Sequence, residues 1–201
     1  GGRATAAYIS LLDAVLPSGA TYPPCASPRK TLTRRRGFFN EPVVDLVEIS
    51  RIFYECNRPA IMLYPTNGLL PELIATQTER ILRACENSVV AVKLSLDGVG
   101  EAHDLPRGTP GGFAKLMQTY ERLAPLLARH PNFELGINTV FCRANQERMD
   151  DIVDFVGGLK HVRTHTISLV RGELADASHK QVDLARYQRA TGRETLYICA
   201  T

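Results

Sequence analysis

Short apolar runs alternate with longer amphipathic segments from residue 41 to the end of the chain. Each run has the length of a strand and stops at a turn signal or polar loop, whereas each longer segment repeats its apolar residues at helical spacing. The predicted strands are residues 60–66, 89–97, 133–141 and 162–170, and the predicted helices are residues 42–56, 71–85, 112–129, 146–156 and 183–193. Strands separated by helices of ten or more residues favour right-handed βαβ units, so we predict an α/β fold with a parallel sheet.

Local signals refine these bounds. Pro125 is expected to kink or shorten the helix predicted at 112–129, because proline lacks the amide hydrogen that a helix interior needs. Asn145 and Asp183 stand where an N-cap would open the helices that follow them. The apolar residues 196–201 are expected to begin a further strand.

The N-terminal residues 1–38 do not follow the alternation and concentrate proline and arginine. Residues 1–40 carry six basic and one acidic side chain, whereas residues 41–201 carry 18 basic and 20 acidic ones, so the first segment accounts for the formal charge of +3. The arginine cluster at 34–36 has no interleaved aromatic residues, which argues against a nucleic-acid partner. We predict that residues 1–38 are an atypical arm, disordered or foreign to the rest, with a short helix at 8–16, and that one domain occupies 39–201.

Five cysteines are scattered along the chain with no CxxC or other close ligand spacing: Cys25, Cys56, Cys85, Cys142 and Cys199. This spacing predicts neither a zinc site nor a self-contained iron–sulfur site. An odd number of scattered thiols, with no secretory signal in residues 1–16, favours reduced cysteines in the cytoplasm. No apolar stretch approaches the roughly 20 residues of a membrane span, so we expect a soluble cytoplasmic protein with no membrane partner.

His161 and His165 are spaced like a helical metal-binding pair. They fall at the predicted strand 162–170, where residues i and i+4 lie about 13 Å apart. One metal ion cannot bind both at that distance. We therefore predict structural histidines and no metal site.

Polar side chains gather where the predicted strands end. They are Thr66, Asn67, Lys93, Ser95, Asp97, Asn138, Asn145, Ser168 and Arg171. Carboxyl ends of parallel strands meet at one edge of a sheet, where ligands bind. These groups suit a ligand with ribose-like hydroxyls, an amine and a carboxylate. The glycine-rich stretch 107–113 precedes a helix but matches no phosphate-binding motif, which favours a loop-geometry role.

Three strings resemble consecutive segments of the radical S-adenosylmethionine enzymes: TNGLLPE at 66–72, VKLSLDGVGEAHDLPRGTPGGF at 92–113 and GINTVFCRANQERMDDIVDFV at 136–156. In that family SLDG ends the fourth barrel strand, and an HD-x-x-RG-x-x-G-x-F pattern forms the loop that follows. The resemblance extends back to Asn40-Glu41-Pro42, which is similar to the Gly-Gly-Glu-Pro motif, and forward to SLVRG at 168–172. It covers about residues 38–190.

The resemblance implies a partial (β/α)6 TIM-like barrel with parallel strands, incomplete at its N-terminus, that binds S-adenosylmethionine. By position, Glu41 would hold the amino group of the cofactor, and Thr66 and Asn67 would line its site. Ser95 and Asp97 would approach its ribose or methionine portion. The remaining two positions, which would contact ribose or carboxylate, are Asn138 and Arg171.

An intact member of the family would cleave the cofactor reductively at a [4Fe–4S] cluster to form a 5′-deoxyadenosyl radical. It would act on a small-molecule or peptide substrate and would take electrons from a reductant such as flavodoxin or ferredoxin. Its cluster is bound by a CxxxCxxC loop ahead of the Gly-Gly-Glu motif. Here that interval contains only Cys25, and the two glycines are replaced by Phe39 and Asn40. The chain as written is therefore expected to lack radical activity.

Two explanations of this departure stay open at the level of sequence. In the first, residues 1–38 are not family sequence, because the reading frame is shifted or the start is wrongly assigned. In the second, the chain is a cluster-less binding protein of the same fold. A third hypothesis is an unrelated α/β-barrel hydrolase or isomerase that uses Asp97, Lys93 and His103 in acid–base catalysis.

Overall fold

The computed structural model describes residues 6–8, 46–171 and 177–198. The strands are β1 (Ala6–Tyr8), β2 (Ile61–Thr66), β3 (Val89–Ser95), β4 (Phe133–Phe141) and β5 (Thr164–Leu169). The helices are α1 (Leu46–Asn57), α2 (Pro71–Ala84), α3 (Glu101–Arg107), α4 (Gly112–Leu123), α5 (Leu126–Arg129), α6 (Met149–Gly157) and α7 (Leu184–Ile198). Short 3-10 turns at Gln146–Arg148 and Ala177–Lys180 precede the last two helices.

All five strands are parallel and neighbour one another in chain order, β1-β2-β3-β4-β5. The prediction of an α/β fold with a parallel sheet is therefore confirmed. Within the described residues, β1 pairs only with β2 and β5 only with β4, so the sheet is not closed. Sequential order arises when each crossover advances in the same direction across the sheet.

One face of the sheet forms the hydrophobic core. Side chains alternate along each strand, and the register aligns Tyr64 with Val92 and Val92 with Leu135 on this face. All three are almost completely buried. The helices contribute Ile81 and Leu116 to the same cluster. The residues between these positions consequently lie on the opposite face of the sheet.

The local signals in the sequence have physical counterparts. Pro125 separates α4 from α5, as predicted. Asp183 accepts hydrogen bonds from the amides of Ala185 and Arg186, at 2.8 and 3.2 Å, and so caps α7 as predicted.

Two expectations from the sequence are wrong, and one helix was not predicted. Residues 6–8 form a strand that pairs with β2, so this part of the predicted arm belongs to the sheet, and Tyr8 does not begin a helix. Residues 9–16 lie outside the described residues, as does most of the arm. Residues 196–198 continue α7 instead of forming a strand. Helix α3 was not predicted, because Pro106 and the surrounding glycines are typical of a loop.

None of the helices in the described part of the chain is long and apolar enough to cross a membrane.

Candidate functional site

Polar side chains occupy two neighbouring rows on the sheet face opposite the core. In the first row the register aligns Lys93 with Gly136 and Gly136 with Thr164; in the second it aligns Ser95 with Asn138 and Asn138 with Thr166. We call these six positions the polar face: Lys93, Ser95, Gly136, Asn138, Thr164 and Thr166. The second row lies toward the carboxyl ends of the strands, where ligands of parallel sheets bind. The predicted site residues Ser95 and Asn138 are thus brought side by side.

Lys93 is the buried charged member of the polar face, with 9% of its surface exposed. Its Nζ donates hydrogen bonds to Oγ1 of Thr164 and, at 3.5 Å, to Oγ1 of Thr166. The side chain therefore crosses β4 to reach hydroxyl groups on β5. Hydroxyl partners offset part of the cost of burying an ammonium group.

Gly136 makes this crossing possible. A methyl group on Gly136 would lie 2.7 Å from Nζ and 2.8 Å from Cδ of Lys93, and 2.6 Å from Oγ1 of Thr164. These separations are below van der Waals contact. Any side chain at position 136 would displace the Lys93 ammonium from its place over β4.

The carboxylate of Asp97 links three segments at the end of β3. One oxygen accepts a hydrogen bond from Nη2 of Arg107 on α3 at 2.6 Å, and the other accepts one from the amide of Val140 on β4 at 2.8 Å. Its side chain is 22% exposed. Both oxygens are thus engaged within the protein, which points to a role in fixing the edge of the site.

His103 lies beneath the same loop and is almost completely buried. Its Nδ1 accepts a hydrogen bond from the amide of Asp97 at 3.2 Å, which requires the neutral ring with its proton on Nε2. Burial lowers the pKa of His103, and the nearby Arg107 guanidinium lowers it further, although Asp97 and Asp104 act in the opposite direction. The imidazole is therefore neutral, and in this form it holds the loop after β3 in place.

The side chain of Asn145 joins β3 to β4 and makes no capping hydrogen bond to the turn that follows. Its Nδ2 donates to the carbonyls of Asp97 and Val140, at 3.2 and 2.9 Å, and its Oδ1 accepts from the amide of Cys142 at 2.9 Å. Helix α6 begins only at Met149, after the intervening 3-10 turn. Asn145 thus stands at the predicted N-cap position, immediately before the 3-10 turn, but its side chain makes no capping hydrogen bond because these backbone groups use both ends of the carboxamide.

Thr66 and Asn67 are placed at the end of β2 by different interactions. Thr66 is buried and aligned with Leu94 on the core face, and its hydroxyl accepts a hydrogen bond from the amide of Gly68 at 3.2 Å. Asn67 is half-buried, and its Oδ1 accepts one from the amide of Leu69 at 3.2 Å. The structure therefore assigns both side chains to the turn after β2.

The remaining two predicted site residues are Glu41 and Arg171. Glu41 lies outside the described residues. Arg171 is exposed and lies two residues beyond the end of β5.

The glycine-rich loop before α4 is closed by Asp104. Its carboxylate accepts hydrogen bonds from the amides of Gly111 and Phe113, both at 2.7 Å. These are amide groups at the start of the helix that a phosphate would use. An internal carboxylate thus takes the position of an anion, in agreement with the predicted loop-geometry role.

His165 is buried on the core side of β5. The Thr139 hydroxyl donates to the carbonyl of Leu96 at 2.7 Å, so Nε2 of His165, at 2.9 Å, donates to the Thr139 oxygen. Burial, with a smaller effect of the Lys93 ammonium, lowers the pKa of His165 to about 4. The prediction that His165 is structural is confirmed.

A metal centre finds no support in the described part of the chain. None of its histidine, cysteine, aspartate and glutamate side chains forms a group of three that could hold an ion. Cys56 is exposed, Cys142 is half-buried and Cys85 is buried in the core.

A surface cleft between α2 and α4 has a different character. It is lined in part by Glu79, Arg122 and Arg129. Glu79 accepts hydrogen bonds from Arg83 and Arg129, both at 2.8 Å. The cleft therefore lies on the helical side of the sheet, and Glu79, Arg122 and Arg129 are each engaged in an ion pair.

Gly136, Thr164 and Thr166 were not predicted to be members of the site. The alternation of threonine with His165 in β5 placed both threonines on one face, but nothing local indicated that a lysine from β3 reaches them.

The chain matches no protein-family model, and no curated protein matches it.

Proposed function

We propose that this chain is the core sheet of a radical S-adenosylmethionine enzyme barrel and that its polar face binds S-adenosylmethionine. The alignment of Ser95 with Asn138 at the carboxyl end of the sheet carries the proposal. A hydroxyl and a carboxamide can each donate and accept hydrogen bonds, as the ribose of the cofactor requires. Both side chains are half-buried, so a ligand can reach them.

The fold supports the partial (β/α)6 barrel that the resemblance implies. Sequential order of parallel strands is what a section of a barrel requires, whereas a doubly wound sheet reverses its order at a switch point. Ser95 is the last residue of β3, and the three residues after it lead toward α3 and α4, as the SLDG string and its following loop do in the family.

The residues present fit the cofactor but do not fit its cluster. The chain has no CxxxCxxC pattern, and its cysteines are separated by at least 28 intervening residues. Three thiolates cannot be supplied from one loop, so the chain lacks the ligand set that a radical step requires. The proposed function of the chain as written is binding of S-adenosylmethionine, whereas an intact relative would add reductive cleavage, a reductant and a small-molecule or peptide substrate.

The acid–base alternative receives less support. Both carboxylate oxygens of Asp97 and Nδ1 of His103 are engaged within the protein. A hydrolase or isomerase would need at least one of them directed at a substrate.

Isothermal titration calorimetry with S-adenosylmethionine tests the proposal. We expect saturable one-site binding that Ser95→Ala and Asn138→Ala each weaken by up to about tenfold, the loss of one or two hydrogen bonds. Asn87→Ala is the matched control, because Asn87 is exposed and lies just before β3, at the opposite end of the sheet from the proposed site. Absence of binding, or equal affinity in all four proteins, would contradict the proposal.

A further inference from the structure

We propose that His103 is a pH-sensitive latch on the loop after β3: protonation of its imidazole releases the amide of Asp97 and loosens the edge of the polar face. The latch is a property of the chain without a ligand. It therefore does not depend on which ligand the polar face binds.

All four hydrogen-bonding groups of Asp97 hold this loop in place. Its amide donates to Nδ1 of His103, and its carbonyl accepts from Nδ2 of Asn145, both at 3.2 Å. Its two carboxylate oxygens hold Arg107 and the amide of Val140. Among these partners, the imidazole is the one whose ordinary pKa lies in the weakly acidic range.

The ring of His103 is packed tightly against the loop. It is almost completely buried, and the ring of Phe113 on α4 lies edge-on to it with a centroid separation of 6.2 Å. The backbone is equally close, since a methyl group on Gly98 would lie 2.7 Å from the His103 amide nitrogen. A charged imidazole carries hydrogens on both nitrogens, so its Nδ1 would direct a hydrogen at the amide of Asp97. Two donors cannot form this hydrogen bond, so the loop must move.

The charged groups that face the ring do not offset this loss. They are Asp97 in the loop and Asp104 and Arg107 on α3. The carboxylate of Asp97 already accepts from Arg107, and that of Asp104 accepts two amide hydrogen bonds at the start of α4, both at 2.7 Å. A charged ring would compete with these donors and would be repelled by the guanidinium.

Proton linkage gives the direction and size of the effect. Burial, followed by the Arg107 guanidinium, lowers the pKa of latched His103 below its ordinary value of 6.5, although the two carboxylates oppose this shift. The released ring therefore takes up a proton at a higher pH than the latched ring. Above pH 6.5 the latch holds. Below it, the ratio of released to latched loop rises by about tenfold per pH unit until the pKa of the latched ring is reached.

Amide hydrogen exchange followed by NMR tests the latch on the ligand-free chain. Protection factors, which correct for the intrinsic pH dependence of exchange, are compared at pH 7.5 and 5.5. The reference is the amide of Val90, which is bonded to the Asn132 carbonyl at 2.8 Å at the opposite end of β3 and reports unfolding of the sheet. We expect protection of the Asp97 amide to fall by up to about tenfold more than that of Val90.

Two variants assign the effect to the imidazole. His103→Asn keeps an acceptor at the δ position but does not titrate, so the extra loss at Asp97 should disappear. His161→Gln removes an exposed histidine from the loop before β5, at the opposite end of the sheet, and should retain the extra loss. Equal pH dependence at Asp97 and Val90 in the wild type, or an extra loss that persists in His103→Asn, would overturn the inference.

The ring nitrogens of the wild type decide the case in which His103→Asn does not fold, as judged by circular dichroism. Their NMR shifts should show a proton on Nε2 alone at pH 7.5, and on both nitrogens over the pH range in which Asp97 loses protection. A neutral ring with its proton on Nδ1, or loss of protection while His103 stays neutral, would overturn the inference.

Discussion

Arg107 donates a 2.6 Å hydrogen bond to the carboxylate of Asp97 and thereby fastens α3 to the end of β3. The second carboxylate oxygen holds the amide of Val140 on β4. Since Asp97 and Arg107 expose only 22% and 27% of their side chains, solvent screens the pair weakly. The loop after β3 is therefore anchored by an interaction whose partners lie ten residues apart.

Asp97→Asn should destabilise the protein without removing the ligand site. Loss of the charged hydrogen bond to Arg107 is expected to lower the free energy of unfolding by about 1–3 kcal/mol. Urea denaturation measures this, and Asp97→Ala should cost more because it also releases the Val140 amide. Affinity of the folded Asn variant for S-adenosylmethionine should stay within about threefold of wild type; a larger loss at unchanged stability would indicate direct ligand contact.

His165 should make stability depend on pH in the weakly acidic range. Its pKa is about 4 in the folded protein against an ordinary value of 6.5, so the unfolded chain takes up a proton first as the pH falls. The contribution is fully present above pH 6.5 and decreases toward pH 4. Between pH 7.5 and 5 we expect a loss of about 2 kcal/mol from this group.

Urea unfolding of His165→Gln and of the control His161→Gln checks this prediction. Glutamine keeps a neutral donor for Thr139 but does not titrate. The pH dependence should be shallower in His165→Gln than in His161→Gln, a substitution at an exposed position. Equal slopes in the two variants would exclude His165 as the source.

Asp104 should stabilise α4 and exclude phosphate from its N-terminus. Asp104→Ala removes the acceptor of two amide hydrogen bonds and is expected to cost about 1 kcal/mol, a usual value for a helix cap. Thermal unfolding measures it against Glu101→Ala, an exposed acid on α3. Inorganic phosphate should leave the Tm of the wild type unchanged. A phosphate-dependent rise in Tm would refute the capping role.

Anaerobic reconstitution with iron and sulfide should yield no [4Fe–4S] cluster. The scattered cysteines cannot bring three thiolates to one loop, and Cys85 is buried with a pKa raised to about 11, chiefly by burial. Thiolates are the form that binds iron. Visible absorption and electron paramagnetic resonance after desalting should match those of the untreated chain; a stable, reducible cluster would overturn the prediction.

Most of the sheet could be predicted from local patterns. The strand at 133–141 was predicted with its observed bounds, because Phe133, Leu135 and Ile137 recur at period two between a proline-containing loop and a polar turn, which leaves little choice of register. Strand β1 could not be predicted in this way. It has only three residues, and its pairing with β2 depends on contacts more than fifty positions away.

The site was predictable only in part, for a related reason. Because side chains alternate along a strand, the sequence placed Lys93 and Ser95 on the same face of β3. The parallel register between β3 and β4 then brings Asn138 beside Ser95. The partners of Asp97, Asn145 and Lys93 come from other strands and helices. Side chains that look like ligand groups in sequence can therefore be structural, and hydrogen bonding distinguishes the two roles only once the fold is known.

The order of the strands also bears on how the chain acquires its structure. Between β2 and β5, each later strand pairs with the strand immediately before it in the chain. For each later strand in this series, a pairing partner has therefore already been synthesised when the strand itself is made. A nascent chain leaving the ribosome can add strands to one advancing edge, which limits the time that unpaired hydrophobic strands spend exposed to other chains.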